Sequence, residues 1–439
     1  MFFFTTDITP RIQYIVDHLI KEWCGADVQI ITDRNIAESE KGPLIIYDSE
    51  CRNENAFHII PSGLLSQKEI REQNIPIGEW NGRPALFCID GGDIPFDILS
   101  ASFYLLTRYE EYLPSESDEY GRFDYRHSIA YKENFLQLPL INIWAMELRM
   151  LLKKKFPLLQ IESRKFKFMP TYDIDMAWSY LNKGLKRNMG GWLRSLINRD
   201  WTEFRERWNV LGGRASDPYD VYEYLDAVHL RYRLKPIYFF LLAREQKGYD
   251  KNIDPGIKQF RVLIAYHAAG YAVGIHPSCQ SWEQPRLMKA EKDCLEDIIE
   301  KKVSSSRFHY IKFMLPVGYQ RCVEAGITDD YSMGYGSVNG FRASVSSSFK
   351  WYDLSQEKVT SLNVHPFCWM DATSHFEQGY TPAKAFEELK YYYDIIRSSE
   401  GEFITISHIN FFSRNNEVKG WKELYDLFME QIVFWDMYK

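Results

Sequence analysis

After residue 165 the chain alternates short β-rich runs with helical patterns, and this alternation restricts the fold more than any other sequence feature. The predicted strands are residues 166–172, 236–242, 271–275, 307–313, 338–342, 360–366 and 402–407. Between them, Asp217-Pro218 and Thr381-Pro382 are typical of helix starts, while Gly270 and Gly326 are typical of helix ends. Such alternation predicts an α/β fold with a mainly parallel sheet, and over this length a (β/α) barrel or a distorted version of one.

The first 163 residues lack this regular alternation and mix helical with strand patterns. Their predicted helices are residues 8–22, 95–113 and 135–154, and their predicted strands are residues 43–48 and 85–90. Glu110 and Glu111 are interpreted as a solvated face, because adjacent carboxylates on one helix do not face each other. We predict two domains: a smaller α+β or α/β accessory domain over residues 1–163 and the barrel over residues 166–439.

The composition excludes several classes of protein. A net charge of −7 argues against a general nucleic-acid binder, which would be basic. No apolar run reaches the roughly 20 residues that a transmembrane helix needs, and the N-terminus has no signal-peptide pattern. The 7 cysteines are scattered without a C-x-x-C pair, which argues against a disulfide framework or a cysteine zinc site. These features predict a reducing compartment, most simply the cytoplasm, and leave the oligomeric state open.

Residue types that bind metals recur where the predicted strands end. Asp173 and Asp175 follow the first strand, His276 follows Y-A-V-G-I, His309 lies in R-F-H-Y and His408 follows F-I-T-I-S. Further candidates at strand ends are Asp329, Asp330, Arg342, His365 and Asp371. The strand ends of a (β/α) barrel surround its active site, so we expect these side chains to share one rim. Such a rim predicts metal-assisted hydrolysis, with His and carboxylate holding a divalent ion, most simply Zn²⁺, and a second carboxylate acting as base.

Four of these motifs resemble, in the correct order, those of the polysaccharide deacetylases, the NodB homology domain of carbohydrate esterase family 4. T-Y-D-I-D resembles the first motif and G-I-H-P-S the second, while S-R-F-H falls where the third motif has its arginine and I-T-I-S-H resembles the last. The resemblance covers about residues 166–439. It is closest to a divergent bacterial branch that has an extra N-terminal domain and is found in surface-polysaccharide gene neighbourhoods.

The resemblance implies a barrel of the glycoside hydrolase and deacetylase type that removes N-acetyl (or O-acetyl) groups from a sugar of a polysaccharide or its precursor. Under it, Asp173 is the general base, Asp175 and His276 are metal ligands and His408 is the general acid. Candidate substrate-binding residues are Arg307, Arg342, His365 and Asp371.

Two departures from the family pattern leave alternatives open. The second motif usually supplies another His where this chain has Gln280, and Arg307 is followed by Phe308-His309 instead of proline and an aromatic residue. Because a zinc site with two ligands would bind poorly, we predict His309 as the missing ligand. The alternative for His309 is that it stacks against Tyr310 or Tyr319 while water fills the coordination sphere. The alternatives for the protein are a non-catalytic barrel that binds carbohydrate or a biosynthetic partner, and a glycoside hydrolase using two carboxylates.

Residues 182–208 form a predicted insertion after the first strand, and they are basic and aromatic in an otherwise acidic chain. We favour a helix at the rim with a solvated basic face over a helix that lies on a membrane surface near a lipid-linked sugar.

Overall fold

The structure is a computed structural model and describes residues 1–433. The N-terminal part contains a parallel sheet of four strands in the order β2-β1-β3-β4, followed by the antiparallel hairpin β5-β6. These strands are β1 (Phe2–Phe4), β2 (Gln29–Ile31), β3 (Leu44–Tyr47), β4 (Phe57–Ile59), β5 (Ile77–Trp80) and β6 (Arg83–Leu86). The helices are α1 (Pro10–Ile15, continuing as a π-helix over Val16–Trp23), α2 (Arg34–Ser39), α3 (Ile98–Leu106), α4 (Ile129–Lys132) and α5 (Leu140–Lys155).

Nine strands form the second sheet, in the order β12-β13-β11-β10-β9-β8-β7-β15-β14. They are β7 (Lys167–Ile174), β8 (Ile237–Phe240), β9 (Ala272–Ile275), β10 (Ser305–Ser306), β11 (Asp329–Asp330), β12 (Phe349–Asp353), β13 (Lys358–Val364), β14 (Trp369–Met370) and β15 (Glu402–His408). Every neighbouring pair is parallel except β12 and β13. The mixed α/β class and the mainly parallel sheet are therefore as predicted.

Within residues 1–433 the sheet has two edges, β12 and β14, and does not close into a ring. The predicted strand over residues 338–342 is irregular, and only Ser305–Ser306 pair where residues 307–313 were predicted to form a strand. Too few long strands therefore remain on this side to close a barrel, so the predicted closure is not found.

Helices follow most strands of this sheet. They are α6 (Gly184–Ile197), α7 (Trp201–Leu211), α8 (Tyr222–Arg231), α9 (Lys258–Gly270), α10 (Cys279–Glu283), α11 (Arg286–Ile299), α12 (Val317–Glu324), α13 (Pro382–Ser398) and α14 (Trp421–Phe428). Thr381 caps α13 as predicted, because its hydroxyl accepts the backbone N–H of Lys384. The helix start predicted at Asp217 is wrong, because that carboxylate instead accepts the backbone N–H groups of residues 179–181. None of the described helices is both long enough and apolar enough to cross a bilayer.

The two sheets share no strand within the described residues, but buried side chains from both sides of residue 163 form one continuous apolar cluster. Glu111 lies in this contact zone: it is buried, and its carboxylate accepts two hydrogen bonds from Arg342, at 2.9 and 2.6 Å. The prediction of a solvated face at Glu110 and Glu111 is therefore wrong, because Arg108 pairs with both carboxylates, at 2.8 and 2.7 Å, and Arg342, distant in sequence, pairs with Glu111 as well. The division into two domains remains a prediction.

Candidate metal centre and cleft

The ends of three parallel strands carry the acidic and imidazole side chains of the site. Asp173 is the second-last residue of β7, and Asp175 directly follows that strand. His408 ends β15 and is paired in register with Asp173, whereas His276 follows β9, two strands away from β7 on the other side. Because the carboxyl ends of parallel strands meet at one edge, all four side chains lie together.

Asp175 lies at the centre of three imidazoles. Its Oδ1 is 3.2 Å from Nε2 of His276 and 3.7 Å from Nε2 of His309, and its Oδ2 is 3.8 Å from Nε2 of His408. Burial alone would raise the pKa of Asp175, but the charge of His309 and the neighbouring imidazoles outweigh burial and hold that pKa well below its usual value. Asp175 is therefore an ionised carboxylate that faces several nitrogen atoms.

In His276 and His309, the ring nitrogen that faces away from Asp175 contacts a hydrogen-bond partner of its own. The Nδ1 of His276 is 2.5 Å from the backbone carbonyl oxygen of Arg307, and the Nδ1 of His309 is 2.9 Å from Oδ1 of Asp250. A carbonyl can only accept a hydrogen bond, so Nδ1 of His276 carries a proton and Nε2 is the nitrogen that faces Asp175. A carboxylate partner orients His309 in the same way, which is the usual arrangement around metal-binding histidines.

The donor set of Asp175, His276 and His309 fits a divalent metal ion. One ligand atom from each lies within 4.8 Å of the others, and together they offer the one-carboxylate, two-imidazole set that zinc accepts. Oδ1 of Asp175 is buried and accepts no hydrogen bond from any described residue, since its contact with His276 lacks hydrogen-bond geometry. A buried oxygen without a hydrogen bond is costly unless an ion binds it, so these residues fit a metal site.

The neighbouring group of Asp250, Cys279 and His309 fits a metal less well. The Asp250 carboxylate already accepts the backbone N–H groups of Cys279 and Gln280 at 2.8 and 3.0 Å, besides its contact with His309. Gln280, which stands where the family has a His, donates its side-chain amide to Glu245 O at 2.7 Å and to Asp250 at 3.1 Å. Gln280 and Asp250 therefore support His309 from behind and are not free to bind an ion.

Arg307 lies beneath Asp173 and is fully buried. Its Nη1 donates to Oδ1 of Asp173 at 2.9 Å and to the hydroxyl of Thr171 at 2.6 Å, and its Nε donates to the carbonyl of Tyr331 at 3.0 Å. The guanidinium also stacks 4.5 Å from the ring centre of Phe239. Arg307 does not line the cleft, so it orients Asp173 and does not fit the substrate-binding position predicted for it.

His408 is held by Asp371, which was predicted to bind substrate. The His408 Nδ1 and backbone N–H lie 2.7 Å from the two oxygens of Asp371, and the backbone N–H of Ala372 donates to the same carboxylate at 2.6 Å. Burial alone would lower the pKa of His408, but the charge of Asp371 outweighs it and raises that pKa to about 9. Asp371 is itself buried away from the cleft and acts through His408.

Arg342 and His365, also predicted to bind substrate, are not brought to the cleft. Arg342 is buried and occupied by Glu111. His365 is stacked on Tyr331, with its Nε2 2.9 Å from Asp329 Oδ1. Both side chains are occupied by partners from distant parts of the chain, which single strand positions in the sequence do not reveal.

A cleft of about 390 Å³ opens over the candidate metal centre. Side chains that the sequence analysis did not select line its walls: Tyr120, Arg122, Tyr310, Phe376, Asn410 and Phe411. Tyr120 and Tyr310 lie 5.6 Å apart between ring centres, and Arg122 donates to the Tyr310 carbonyl at 2.8 Å. The N-terminal 163 residues thus contribute to the cleft, and the only sequence signal for this wall was the aromatic content of 16%.

A smaller cavity of about 220 Å³ adjoins the same carboxylates and His408 from another side. It is also lined by Lys183 and Tyr219. Burial lowers the pKa of Lys183 to about 8, and the nearby Arg187 charge adds to that effect. The centre is therefore reached from two directions, one aromatic and one bordered by a lysine at the start of α6.

Residues 1–157 match DUF7033, a family of unknown function. No curated protein matches this sequence.

Similar solved structures include a Mycobacterium smegmatis protein described as a polysaccharide deacetylase, with 12% identity, 63% of this chain and 88% of that chain covered, and a TM-score of 0.39. A polysaccharide deacetylase from Bacillus cereus shows 11% identity, 61% and 88% coverage, and a TM-score of 0.28. A 4-alpha-glucanotransferase from Thermococcus litoralis shows 13% identity, 62% and 39% coverage, and a TM-score of 0.35. Similarity at this level does not decide a function, which has to be judged from the geometry of the site.

Proposed function

We propose that the protein is a metal-dependent hydrolase that removes acetyl groups, N-acetyl in preference to O-acetyl, from a sugar of a polysaccharide or its precursor. The observation that carries this proposal is the buried Oδ1 of Asp175, which accepts no hydrogen bond within the described residues and faces Nε2 of both His276 and His309. The carboxylate of Asp173 and the imidazolium of His408 lie beside this centre and supply the general base and the general acid that amide hydrolysis needs.

Asp175, His276 and His309 would hold the ion, with zinc the best fit to this donor set. When bound, such an ion supplies polarisation of the acetyl carbonyl and acidification of a water molecule. Asp250 and the carbonyl of Arg307 keep the two imidazoles oriented, so little reorganisation accompanies binding.

Asp173 is the proposed general base. Arg307 binds its Oδ1, while its Oδ2 is turned toward the centre and lies 3.8 Å from Nε2 of His276. This leaves one carboxylate oxygen oriented to take a proton from water, while the other is fixed in place.

His408 is the proposed general acid. Its pKa of about 9 means that it carries a proton on Nε2 at neutral pH, and that nitrogen faces Asp175 and the centre. An amine is a poor leaving group unless it is protonated, whereas an alcohol needs this help less, so a protonated His408 favours N-acetyl substrates.

The cleft suits a sugar. A volume of about 390 Å³ lies within the range of small-molecule sites, and the exposed rings of Tyr310 and Phe376 can pack on the apolar face of a pyranose. A glycoside hydrolase is less well supported, because that reaction needs only two carboxylic acids and would leave the ligand set of Asp175, His276 and His309 without a role.

The test is acetate release from N-acetylated chito-oligosaccharides, together with metal analysis of the purified protein. We expect zinc to be retained, acetate to be released, and Asp173→Asn to reduce release by about a hundredfold or more while the zinc content is unchanged. Asp329→Asn is the matched control, because Asp329 also contacts a histidine, at 2.9 Å, but lies outside the cleft. New reducing ends without acetate would establish a glycosidase instead, and a protein that binds sugar without metal or acetate release would establish a non-catalytic binder.

A further inference from the structure

The helical pair α6–α7 exposes an apolar surface, which we call the hairpin face. On α6, Leu185 is 73% exposed, Leu193 60% and Ile197 72%. The remaining large apolar residues of the hairpin face, exposed to a lesser degree, are Met189, Leu196, Trp201, Trp208 and Leu211. Scattered apolar residues on a protein surface are ordinary, but this many on two adjacent helices indicate a binding surface.

The inner side of this helix pair is polar, which is the reverse of an ordinary surface helix. Asn188 and Arg207 are buried and joined by a hydrogen bond of 3.2 Å, and the buried Ser195 donates to Glu203 at 2.7 Å. A Cβ atom at Gly191 would lie 2.2 Å from the Arg207 guanidinium, so glycine makes room for this contact. Three of the four buried residues of the hairpin, Asn188, Ser195 and Arg207, are thus polar, whereas most of its large apolar side chains face outward.

Aromatic contacts make the hairpin face continuous across both helices. The Trp192 ring lies 6.1 Å from that of Trp208 and 6.5 Å from that of Phe204, measured between ring centres. Trp201 in turn lies 6.2 Å from Phe204. Tryptophan is the side chain most typical of the boundary between hydrocarbon and water, because its ring is apolar and its N–H is polar.

Exposed basic side chains on the same two helices and their flanking turns form what we call the basic border of the hairpin face. Residues 182–214 contain eight Lys and Arg residues against three Asp and Glu residues, in a chain whose net charge is −7. Five of the basic side chains are exposed and form no ion pair with any described residue: Lys186, Arg194, Arg199, Arg205 and Arg214. An apolar face with an unpaired basic border is complementary to an apolar layer covered by negative headgroups.

We propose that the hairpin face docks on an anionic phospholipid bilayer. A second copy of the chain fits less well, because a symmetric contact would bring two basic borders together. The eight exposed large apolar side chains reverse the preference from sequence alone, which was for a solvated basic face: the basic side chains are exposed, but so is an apolar surface beside them.

The N-terminal end of α6, the helix that carries part of the hairpin face, borders the candidate active site. Lys183, which precedes α6, lines the smaller cavity together with Asp175 and His408. Arg187 of α6 donates to the backbone carbonyls of Lys251 and Asn252 at 2.9 and 2.8 Å, next to the Asp250 that orients His309. If the proposed function holds, a site next to a membrane-bound helix would take a saccharide that is tethered to a membrane lipid, and this is the substrate class that we assign.

Docking is tested by sedimentation of the full chain with vesicles of phosphatidylcholine containing phosphatidylglycerol, and with vesicles of phosphatidylcholine alone. We expect binding to the anionic vesicles that weakens as salt is added, and a fall in the partition coefficient of about tenfold or more in Leu193→Glu/Ile197→Glu. The matched control is Leu230→Glu/Val262→Glu, which adds the same two charges at helix positions that are 83% and 60% exposed outside the hairpin, and which should bind as the wild type does.

Docking is refuted if the wild type does not bind anionic vesicles, or if both double variants lose binding equally. It is also refuted if the wild type is a dimer and Leu193→Glu/Ile197→Glu makes it a monomer without changing vesicle binding. Acetate release from soluble chito-oligosaccharides is measured on the same variants and should be unchanged. Loss of vesicle binding with intact acetate release supports docking, whereas vesicle binding without any acetate release would leave docking standing and refute the hydrolase.

Discussion

Replacing His309 by Ala is the most informative perturbation of the candidate metal centre. His309 supplies one of the three ligand atoms in the group Asp175, His276 and His309, which lie within 4.8 Å of one another. Loss of a residue that merely orients a ligand already costs about 10–100-fold in metal affinity, so loss of a ligand itself should raise the zinc Kd by about 100-fold or more. That factor corresponds to about 2.7 kcal/mol of binding free energy.

The assay is competition for zinc between the purified protein and a fluorescent chelator, with circular dichroism to verify that each variant is folded. His365→Ala is the matched control, because both imidazoles are paired with an aspartate at 2.9 Å but only His309 faces Asp175. The control should bind zinc as the wild type does. An unchanged Kd in His309→Ala, with loss of binding in His276→Ala, would show that His309 is not a ligand and would refute the three-residue site.

Three further outcomes follow from buried charges. Arg307→Lys should lower acetate release by about tenfold or more with unchanged zinc content, because lysine cannot bind Asp173 and its other partners from one planar group. Arg342→Ala should lower the free energy of unfolding in urea by about 1.5–3 kcal/mol, since it removes charged hydrogen bonds to the buried Glu111, which keeps Arg108 as its other partner; a loss below about 0.5 kcal/mol would contradict this. Burial raises the pKa of Glu291 from 4.5 to about 7, so the folded state binds more protons between these values and wild-type stability should fall as pH rises through this window. Glu291→Gln should abolish that fall, which amounts to about 3 kcal/mol, and equal pH profiles for the two proteins would refute the assignment.

The sequence by itself determined which residues stand at the ends of the parallel strands. Apolar runs that alternate with helical patterns predicted β7, β9 and β15, and the polar residues directly after such runs included Asp175 and His276. This worked because a buried parallel strand is recognisable from local composition, and because all its neighbours end at the same edge of the sheet. The replacement at Gln280 likewise pointed to His309 as the candidate for a third ligand.

Only the tertiary structure decided what each of those side chains contacts. Asp250 behind His309, Asp371 behind His408 and the aromatic wall that includes Tyr120 all come from segments distant in sequence. The same holds for the open edges of the sheet, the burial of Glu111 and the apolar outer side of α6. The physical reason is that a charged or aromatic side chain has the same local pattern whether it is solvated or paired, and only packing across the fold brings its partner to it.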